Sequence, residues 1–226
     1  PLTRSHSRCP KQQVERIVDL LFKSPHAETP SVEEFGMSLA AVAATQSPEL
    51  GLKVGSAILR DRSVVSLGTN AHPVTSDISP EFDRSKLDIA RVTLDAVRRL
   101  KDGGYLDDSA ASKLEADEDK FTSDMLKGAL KGSQIAGLTE FQLPVHAEMS
   151  ALLDALAQSQ TVSGSRIYVT AYPCHNCAKH LLRCGLSGVY LEPYPKSRAE
   201  AMYGHDAQSA FKPFTGVAPR MYMRLF

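Results

Sequence analysis

His146-Ala147-Glu148 and Pro173-Cys174-His175-Asn176-Cys177 are the two stretches around which the rest of this chain is organised. They read H-x-E followed by P-C-x-x-C. One imidazole and two thiolates form a set of three ligands that suits Zn²⁺ and leaves a fourth tetrahedral position open for water. A zinc site of purely structural type would need a fourth protein ligand. The nearest spare thiol, Cys184, lies about 10.5 Å beyond Cys177 along a helix, which is too far.

The spacing within the two stretches indicates how they act. Cys174 and Cys177 are three residues apart, so at the start of a helix both sulfur atoms face the same side. Pro173 suits the first turn of that helix, where N–H groups have no partner within the helix. The positive end of the helix dipole favours the thiolate form that binds metal. Glu148 is placed to carry protons to and from water at the metal.

Each stretch taken alone has another interpretation. A lone C-x-x-C is typical of a redox pair or of half a structural zinc site, and a lone H-x-E carries little information. The two together, in this order and each at the start of a helical pattern, indicate a catalytic zinc site. We therefore predict that His146, Cys174 and Cys177 hold Zn²⁺.

Composition argues against several classes of protein. The chain has 226 residues, and 26 Lys and Arg balance 26 Asp and Glu, so net charge provides no bulk attraction to nucleic acid or an anionic membrane. It has no Trp and only 7% aromatic residues, which is little stacking surface for a single strand. No apolar stretch approaches the ~20 residues of a membrane span, and no stretch reads as a signal peptide. Cys9 and Cys184 offer no disulfide framework, so we expect a reducing, cytoplasmic location.

Hydrophobic periodicity and turn residues predict the elements on either side of an irregular middle segment. Before it we predict a loose arm at 1–9, a helix from Pro10, a linker at 25–30, a helix from a capping box at 31–34 to about Gln46, and a hairpin of strands at 54–59 and 64–67. After it we predict a helix from His146, a strand at 166–170, a second metal helix ending at Gly185, a strand at 189–192, a helix at 199–203 and an extended run at 211–217.

The middle segment, residues 76–143, interrupts this rhythm and carries no chemical motif. A helical stripe there ends at Gly103-Gly104, and a weaker helix is predicted at 125–130. The hairpin and the later alternation of helices and strands predict an α/β fold, a three-layer α/β/α sandwich with a mixed sheet of about five strands and a mainly helical insertion. We predict an N-terminal arm and helix at 1–30, and a single domain at 31–226 that contains the insertion at 76–143.

Two of the predicted helices are expected to bury apolar stripes. The predicted inward-facing side chains are Phe35, Leu39, Val42 and Ala43 in the first, and Met149, Leu152, Leu153 and Leu156 in the second.

Residues 146–156 and 166–197 resemble the superfamily of zinc-dependent cytidine and deoxycytidylate deaminases, whose signature is H-x-E with P-C-x-x-C. Three stretches, 173–179, 192–197 and the sequence FKPFTGV at 211–217, are similar to a narrower group, the bacterial anti-phage deoxycytidine-nucleotide deaminases. In that group the deaminase domain usually follows a kinase-like domain with a P-loop. No G-x-x-x-x-G-K-[ST] occurs here, so we expect any kinase-like domain to lie outside this chain.

The resemblance implies a role for each matching residue. His146, Cys174 and Cys177 would hold zinc, Glu148 would shuttle protons, and Asn70 would hydrogen-bond the sugar. The N–H groups of Ala147 and Cys174 would help to fix the base and the reacting centre.

Two departures from the family pattern concern phosphate and sugar recognition and leave the zinc chemistry intact. Relatives commonly carry an Arg before the first strand, where this chain reads GLKV at 51–54. Relatives also follow the Asn with an acidic residue and a Gly-rich turn, where this chain reads AHPV at 71–74.

Several loop residues near the predicted site have both a functional and a plain interpretation. Lys196 and Ser197 are placed to meet phosphate or are simply exposed. Tyr194 stacks on the pyrimidine or packs between its two prolines. His175 points away from the metal, and we interpret His72 as a loop histidine rather than a ligand.

The predicted activity is zinc-dependent hydrolytic deamination of a free deoxycytidine nucleotide, dCMP or dCTP, with release of ammonia. The resemblance implies a role in depleting nucleotides during phage infection. The alternatives are a deaminase of free cytidine or deoxycytidine, a deaminase of cytosine in single-stranded nucleic acid, and a catalytically silent nucleotide-sensing domain. We expect the partners to be a small pyrimidine deoxynucleotide and further copies of this chain, and neither a membrane nor a nucleic acid.

Overall fold

The structure is a computed structural model that describes residues 10–22, 28–72, 84–139 and 144–226. Its elements in chain order are α1 (Pro10–Phe22), α2 (Val32–Ala44), β1 (Gly55–Arg60), β2 (Ser63–Thr69), α3 (Arg84–Asp102), α4 (Asp108–Ala116), α5 (Glu118–Lys127), a short 3-10 helix (Ile135–Gly137), α6 (Ala147–Ala157), β3 (Arg166–Ala171), α7 (His175–Arg183), β4 (Ser187–Glu192), α8 (Ala199–Ala210), β5 (Phe211–Pro213) and α9 (Pro219–Leu225). The predicted arm at 1–9, residues 25–27 of the predicted linker and the start of the predicted insertion lie outside the described residues.

The strands form one mixed sheet in the order β2-β1-β3-β4-β5. β1 runs antiparallel to both of its neighbours, while β3, β4 and β5 run parallel to one another. α2 packs on one face, where Met37 and Ala40 meet Tyr168, and α6, α7 and α8 cover the other face around Ile58 and Ile167. The predicted α/β/α sandwich with about five strands is confirmed.

The chain divides into two compact units. The first contains the sheet and comprises Pro1–Ser47, Lys53–Asn70 and His146–Phe226. The second comprises Pro48–Leu52 and Ala71–Val145 and contains α3, α4 and α5, and the predicted insertion falls within it. Among the residues that the structure describes, no helix is long and apolar enough to cross a membrane.

α2 begins as predicted, but one of its four predicted inward-facing residues is exposed. The Ser31 side chain accepts a hydrogen bond from the Glu34 N–H, and the Glu34 carboxylate accepts one from the Ser31 N–H, so the predicted capping box is confirmed. The prediction that Val42 faces inward is wrong, because its side chain is 62% exposed. The buried side chains include Ala40 and, as predicted, Ala43, while the predicted Phe35 and Leu39 are partly buried against the core. A Cβ at Gly55 would lie 2.1 Å from the Ala40 carbonyl oxygen, so the helix lies directly against β1.

α6 shows the same displacement of its apolar stripe. Leu153 and Leu156 were predicted to face inward, but they are 51% and 72% exposed. The fully buried side chains are Ala147, Ala151 and Ala155. A Cβ at Gly68 of β2 would lie only 2.2 Å from the Ala147 carbonyl oxygen, so no leucine fits between this helix and the sheet.

Element boundaries differ from the prediction in the second unit and at the end of the chain. The weak helix predicted at 125–130 is replaced by α4 and α5, which begin at side-chain caps from Asp107 and Asp117. The predicted helix at 199–203 continues to Ala210 across a bend at Gly204, where φ is +53°. The predicted extended run at 211–217 is a strand only over Phe211–Pro213, and α9 was not predicted.

Candidate metal centre

The predicted metal ligands lie at the N-termini of two helices. His146 is the N-cap residue of α6 and Cys174 that of α7, both with extended backbone, and Cys177 lies in the first turn of α7. The Cys174 sulfur accepts a hydrogen bond from the Cys177 N–H at 3.3 Å, and so replaces the oxygen of a usual N-cap side chain. Pro173 therefore precedes the helix, and the prediction that it lies in the first turn is wrong.

The three side chains converge on one point. His146 Nδ1 is 3.3 Å from Cys174 Sγ and 3.5 Å from Cys177 Sγ, and all three ligand atoms lie within 4.8 Å of one another. Zn²⁺ with tetrahedral bonds of about 2.0 Å to nitrogen and 2.3 Å to sulfur holds such atoms about 3.6 Å apart. The donor set and its spacing fit zinc. No other cluster of this kind is found among the described residues.

The two cysteines have very different pKa values when no metal is bound. A hydrogen bond from Cys177 and the neighbouring His146 lower the pKa of Cys174 to about 4. Cys177 remains a protonated thiol. Its hydrogen bond to Cys174, together with burial and the negative charge of Cys174, raises the pKa of Cys177 well above its ordinary value. Cys174 is thus a thiolate ready to bind metal, whereas Cys177 must release a proton.

Glu148 lies beside the cluster in a fully protein-lined position. Its side chain is buried, and its carboxyl group lies in hydrogen-bonding range of the Cys177 thiol. Burial and, after it, the negative charge of Cys174 raise the pKa of Glu148 to about 7. A carboxyl group with that pKa can both accept and donate a proton near neutral pH.

Hydrogen bonds from side chains of the sheet fix the backbone of α6 around Glu148. Ser56 of β1 donates a hydrogen bond of 2.7 Å to the Ala147 carbonyl, and Ser66 of β2 donates one of 2.8 Å to the Ala151 carbonyl. These buried hydroxyls were missed at the sequence level, and a Ser inside a strand that packs against a helix was the available signal.

The predicted sugar ligand Asn70 follows β2 directly. Its side-chain oxygen accepts a hydrogen bond of 2.7 Å from the Val54 N–H, and its carbonyl accepts one from Ser47. Its side-chain amide is therefore oriented by the protein backbone.

The residues of the loop after β4 differ from one another in burial and in contacts. Tyr194 is partly buried, and burial together with the negative charges of Cys174 and Glu148 raises its pKa, so its phenol lies near the cluster. Lys196 is exposed. Ser197 was expected at phosphate, but its hydroxyl donates to the Pro173 carbonyl at 2.7 Å and accepts from the Ala199 N–H.

The other histidine and cysteine residues considered as ligands lie outside the cluster of His146, Cys174 and Cys177. The His175 ring is buried on α7, outside the ligand cluster. His72 pairs with Glu49 at 3.6 Å, which agrees with its interpretation as a loop histidine. Cys184 is exposed at the end of α7.

Comparisons with known proteins agree with this chemistry. The family model described as the cytidine and deoxycytidylate deaminase zinc-binding region matches residues 30–192. The deoxycytidylate deaminase of Enterobacteria phage T2 is 38% identical over 55 residues, which are 24% of this chain and 29% of that protein. A probable deoxycytidylate deaminase of Drosophila melanogaster is 44% identical over 45 residues, 20% of this chain and 21% of that protein.

Among solved structures, the dCMP deaminase of cyanophage S-TIM5 has 15% sequence identity and a TM-score of 0.48, over 83% of this chain and all of that one. A second structure of that enzyme is a complex with dCMP and dUMP. The matched stretches span less than a third of the two curated relatives described above.

Proposed function

This chain belongs to the cytidine and deoxycytidylate deaminase zinc-binding family, and from that premise we propose that it deaminates a free deoxycytidine nucleotide. The proposed reaction converts dCMP or dCTP to the deoxyuridine nucleotide by hydrolysis and releases ammonia. The observation that carries the proposal is the buried Glu148 carboxyl group beside the cluster of His146, Cys174 and Cys177.

Zinc, when held by those three side chains, supplies a Lewis acid that lowers the pKa of water from 15.7 toward about 7. Glu148 accepts a proton from the attacking water and delivers it to N3 of the cytosine ring. After the hydroxide has added to C4, the same carboxylate takes the proton of the new C4 hydroxyl and donates it to the amino group, which leaves as ammonia as the C4 carbonyl forms. One carboxyl group thus serves in turn as base and acid.

Substrate positioning is assigned to residues around this centre. The N–H groups of Ala147 and Cys174 would fix the base and the reacting carbon, and Asn70 would hydrogen-bond the sugar. Tyr194 would stack on the pyrimidine, which its position near Cys174 and Glu148 supports. Lys196, exposed in the same loop, would meet the phosphate as a point charge.

A deaminase of the free nucleoside is the competing candidate. It is favoured by the hydrogen bond from Ser197 to the Pro173 carbonyl, which engages one of the two side chains expected at phosphate. Single-stranded nucleic acid is disfavoured by the zero net charge and the absence of Trp. A silent sensing domain would have no use for a carboxyl group with the pKa of Glu148.

The test is ammonia release across cytidine, deoxycytidine, their mono- and triphosphates, and a single-stranded oligonucleotide. The proposal expects the highest kcat/KM for dCMP or dCTP. Lys196→Ala should raise the KM for the nucleotide and leave deoxycytidine turnover unchanged, while the matched Lys212→Ala leaves both unchanged. Equal kcat/KM for deoxycytidine and its phosphates would instead establish the nucleoside deaminase.

The wider context belongs to the same proposal. We assign the deaminase domain to residues 31–226, with the helical insertion at 76–143 serving assembly into a homo-oligomer or regulation. A reducing, cytoplasmic setting would keep Cys174 and Cys177 available for metal. A role in depleting nucleotides during phage infection is supported by the sequence similarity at 192–197 and 211–217.

A further inference from the structure

Two hydroxyl groups from one short segment reach the backbone on either side of Cys174. Ser197 Oγ donates to the Pro173 carbonyl at 2.7 Å, and Tyr203 Oη donates to the His175 carbonyl at 3.0 Å. Ser197 lies in the loop between β4 and α8, and Tyr203 lies in the first half of α8. The two acceptors are the carbonyls immediately before and immediately after the predicted zinc ligand.

The two carbonyls belong to the residues on either side of Cys174. The Pro173 carbonyl belongs to the planar peptide unit that ends at Cys174, so fixing its oxygen restricts that unit as a whole. It precedes the N-cap residue and thus has no place in the hydrogen-bond pattern of α7. Pro173 is buried, so its carbonyl would be costly to leave without the Ser197 donor.

The donors are themselves held rigidly. Ser197 accepts a hydrogen bond from the Ala199 N–H at the start of α8, and Ala199 is fully buried in the core shared with α7. Tyr203 lies in α8 before the bend at Gly204, and Ser197 lies two residues before this helix begins. The segment therefore places both hydroxyls against the backbone at the start of α7.

We propose that Ser197 and Tyr203 are positioning residues of the metal centre, which hold Cys174 in its ligating orientation through the backbone. The inference rests on the proposed function only in taking the cluster of His146, Cys174 and Cys177 as a zinc site. It also assigns Ser197 to the metal rather than to phosphate. Tyr194 and Lys196 lie in the same loop as Ser197, so the proposed positioning residues and the proposed substrate contacts share one segment.

The test measures zinc retention of the full-length, zinc-loaded protein. Ser197→Ala, Tyr203→Phe and the double variant are compared with the parent for zinc affinity against a competing chelator and for the rate of zinc release. Residues that support metal ligands typically contribute 10–100-fold in affinity, and we expect about that loss in the double variant. Ser197→Thr, which keeps a hydroxyl group, should recover most of the affinity.

Two variants serve as matched controls. Ser209→Ala removes a hydroxyl that bonds only within α8, to the Asp206 carbonyl, and Tyr222→Phe removes a phenol on α9. Thermal unfolding of the metal-free proteins separates loss of zinc from loss of fold. Zinc affinities of the single and double variants within about twofold of these controls would overturn the proposal, and so would a loss in affinity matched by an equal loss in metal-free stability.

The outcome is distinguishable from that of the proposed function. Zinc release is read without any substrate, so a protein that retains zinc through Ser197 and Tyr203 but deaminates no cytosine compound would refute the deaminase and leave this proposal standing. A protein that deaminates a deoxycytidine nucleotide, but whose zinc affinity does not depend on either hydroxyl, would refute this proposal and leave the proposed function standing.

Discussion

Glu148 combines burial and a raised pKa with a position beside the Cys177 thiol. Glu148→Gln keeps the shape of the side chain but removes the ability to accept and return a proton. We expect zinc content to be unchanged and kcat to fall by at least the ~10²–10⁴-fold typical of a lost general acid–base group. Elemental analysis and ammonia release on the same preparation test this. Near-normal turnover with zinc bound would show that another group carries the protons.

Zinc binding by Cys177 should depend on pH. The hydrogen bond to Cys174 and burial raise the pKa of Cys177 well above its ordinary value, so the thiol is protonated at neutral pH in the metal-free protein. Ligation requires the thiolate, and zinc must displace that proton. Affinity should therefore rise with pH, by about tenfold per unit for each proton released. Chelator competition at about pH 6, 7 and 8 measures it, corrected for the chelator's own protonation, and a flat profile would contradict the assignment.

The contact between β2 and α6 depends on the absence of a side chain at Gly68. A Cβ there would lie 2.2 Å from the Ala147 carbonyl oxygen and 2.4 Å from the Ala151 nitrogen, both backbone atoms that cannot move independently of the helix. Gly68→Ala should push α6 away from the sheet and lower the free energy of unfolding by about 3 kcal/mol or more. Because His146 and Glu148 lie at the start of α6, zinc affinity should fall as well.

The matched control for this substitution is Gly137→Ala. A Cβ at Gly137 would meet nothing within 4 Å, so its effect on the free energy of unfolding should be within about 0.5 kcal/mol. Denaturant unfolding of both variants provides the comparison. Equal stability of the two variants would refute the close packing of α6 on β2.

A buried ion pair joins distant parts of the first unit. Arg16 of α1 donates to both oxygens of Glu34 at 2.5 and 2.8 Å, and the Val217 N–H also donates to this carboxylate. The two side chains are 11% and 1% exposed. Arg16→Ala leaves the carboxylate without its cation, and should lower the free energy of unfolding by about 3 kcal/mol. The exposed pair of Arg99 and Asp95 is the control, where Arg99→Ala should cost less than about 1 kcal/mol.

The same pair makes stability depend on pH. Burial alone would raise the pKa of Glu34, but hydrogen bonds from Arg16, Val217 and Ser31 outweigh it and leave the pKa below its ordinary value. The stabilisation is therefore fully present above the unfolded pKa of about 4.3 and is lost as pH falls through the lower folded value. Parent and Arg16→Ala should converge in stability in acid. A constant difference between them down to about pH 2 would contradict this assignment.

The local patterns in this sequence were sufficient to predict the fold class and the three side chains that cluster as candidate metal ligands. Ligand spacing in H-x-E and P-C-x-x-C, the capping box at Ser31 and the hairpin all depend on residues close together in the chain. Their geometry follows from helix and strand periods alone. The predicted ligands do lie together, and five strands form the predicted mixed sheet.

Only the tertiary structure could decide which helix faces are buried and which distant residues meet. Val42, Leu153 and Leu156 have the spacing of core residues, yet Gly55 and Gly68 bring the helices so close to the sheet that alanines occupy the interface. The hydrogen bonds of Ser197 and Tyr203 depend likewise on the approach of α8 to α7. Such contacts join residues remote in sequence, and hydrophobic periodicity carries no information about the distance between two packed elements.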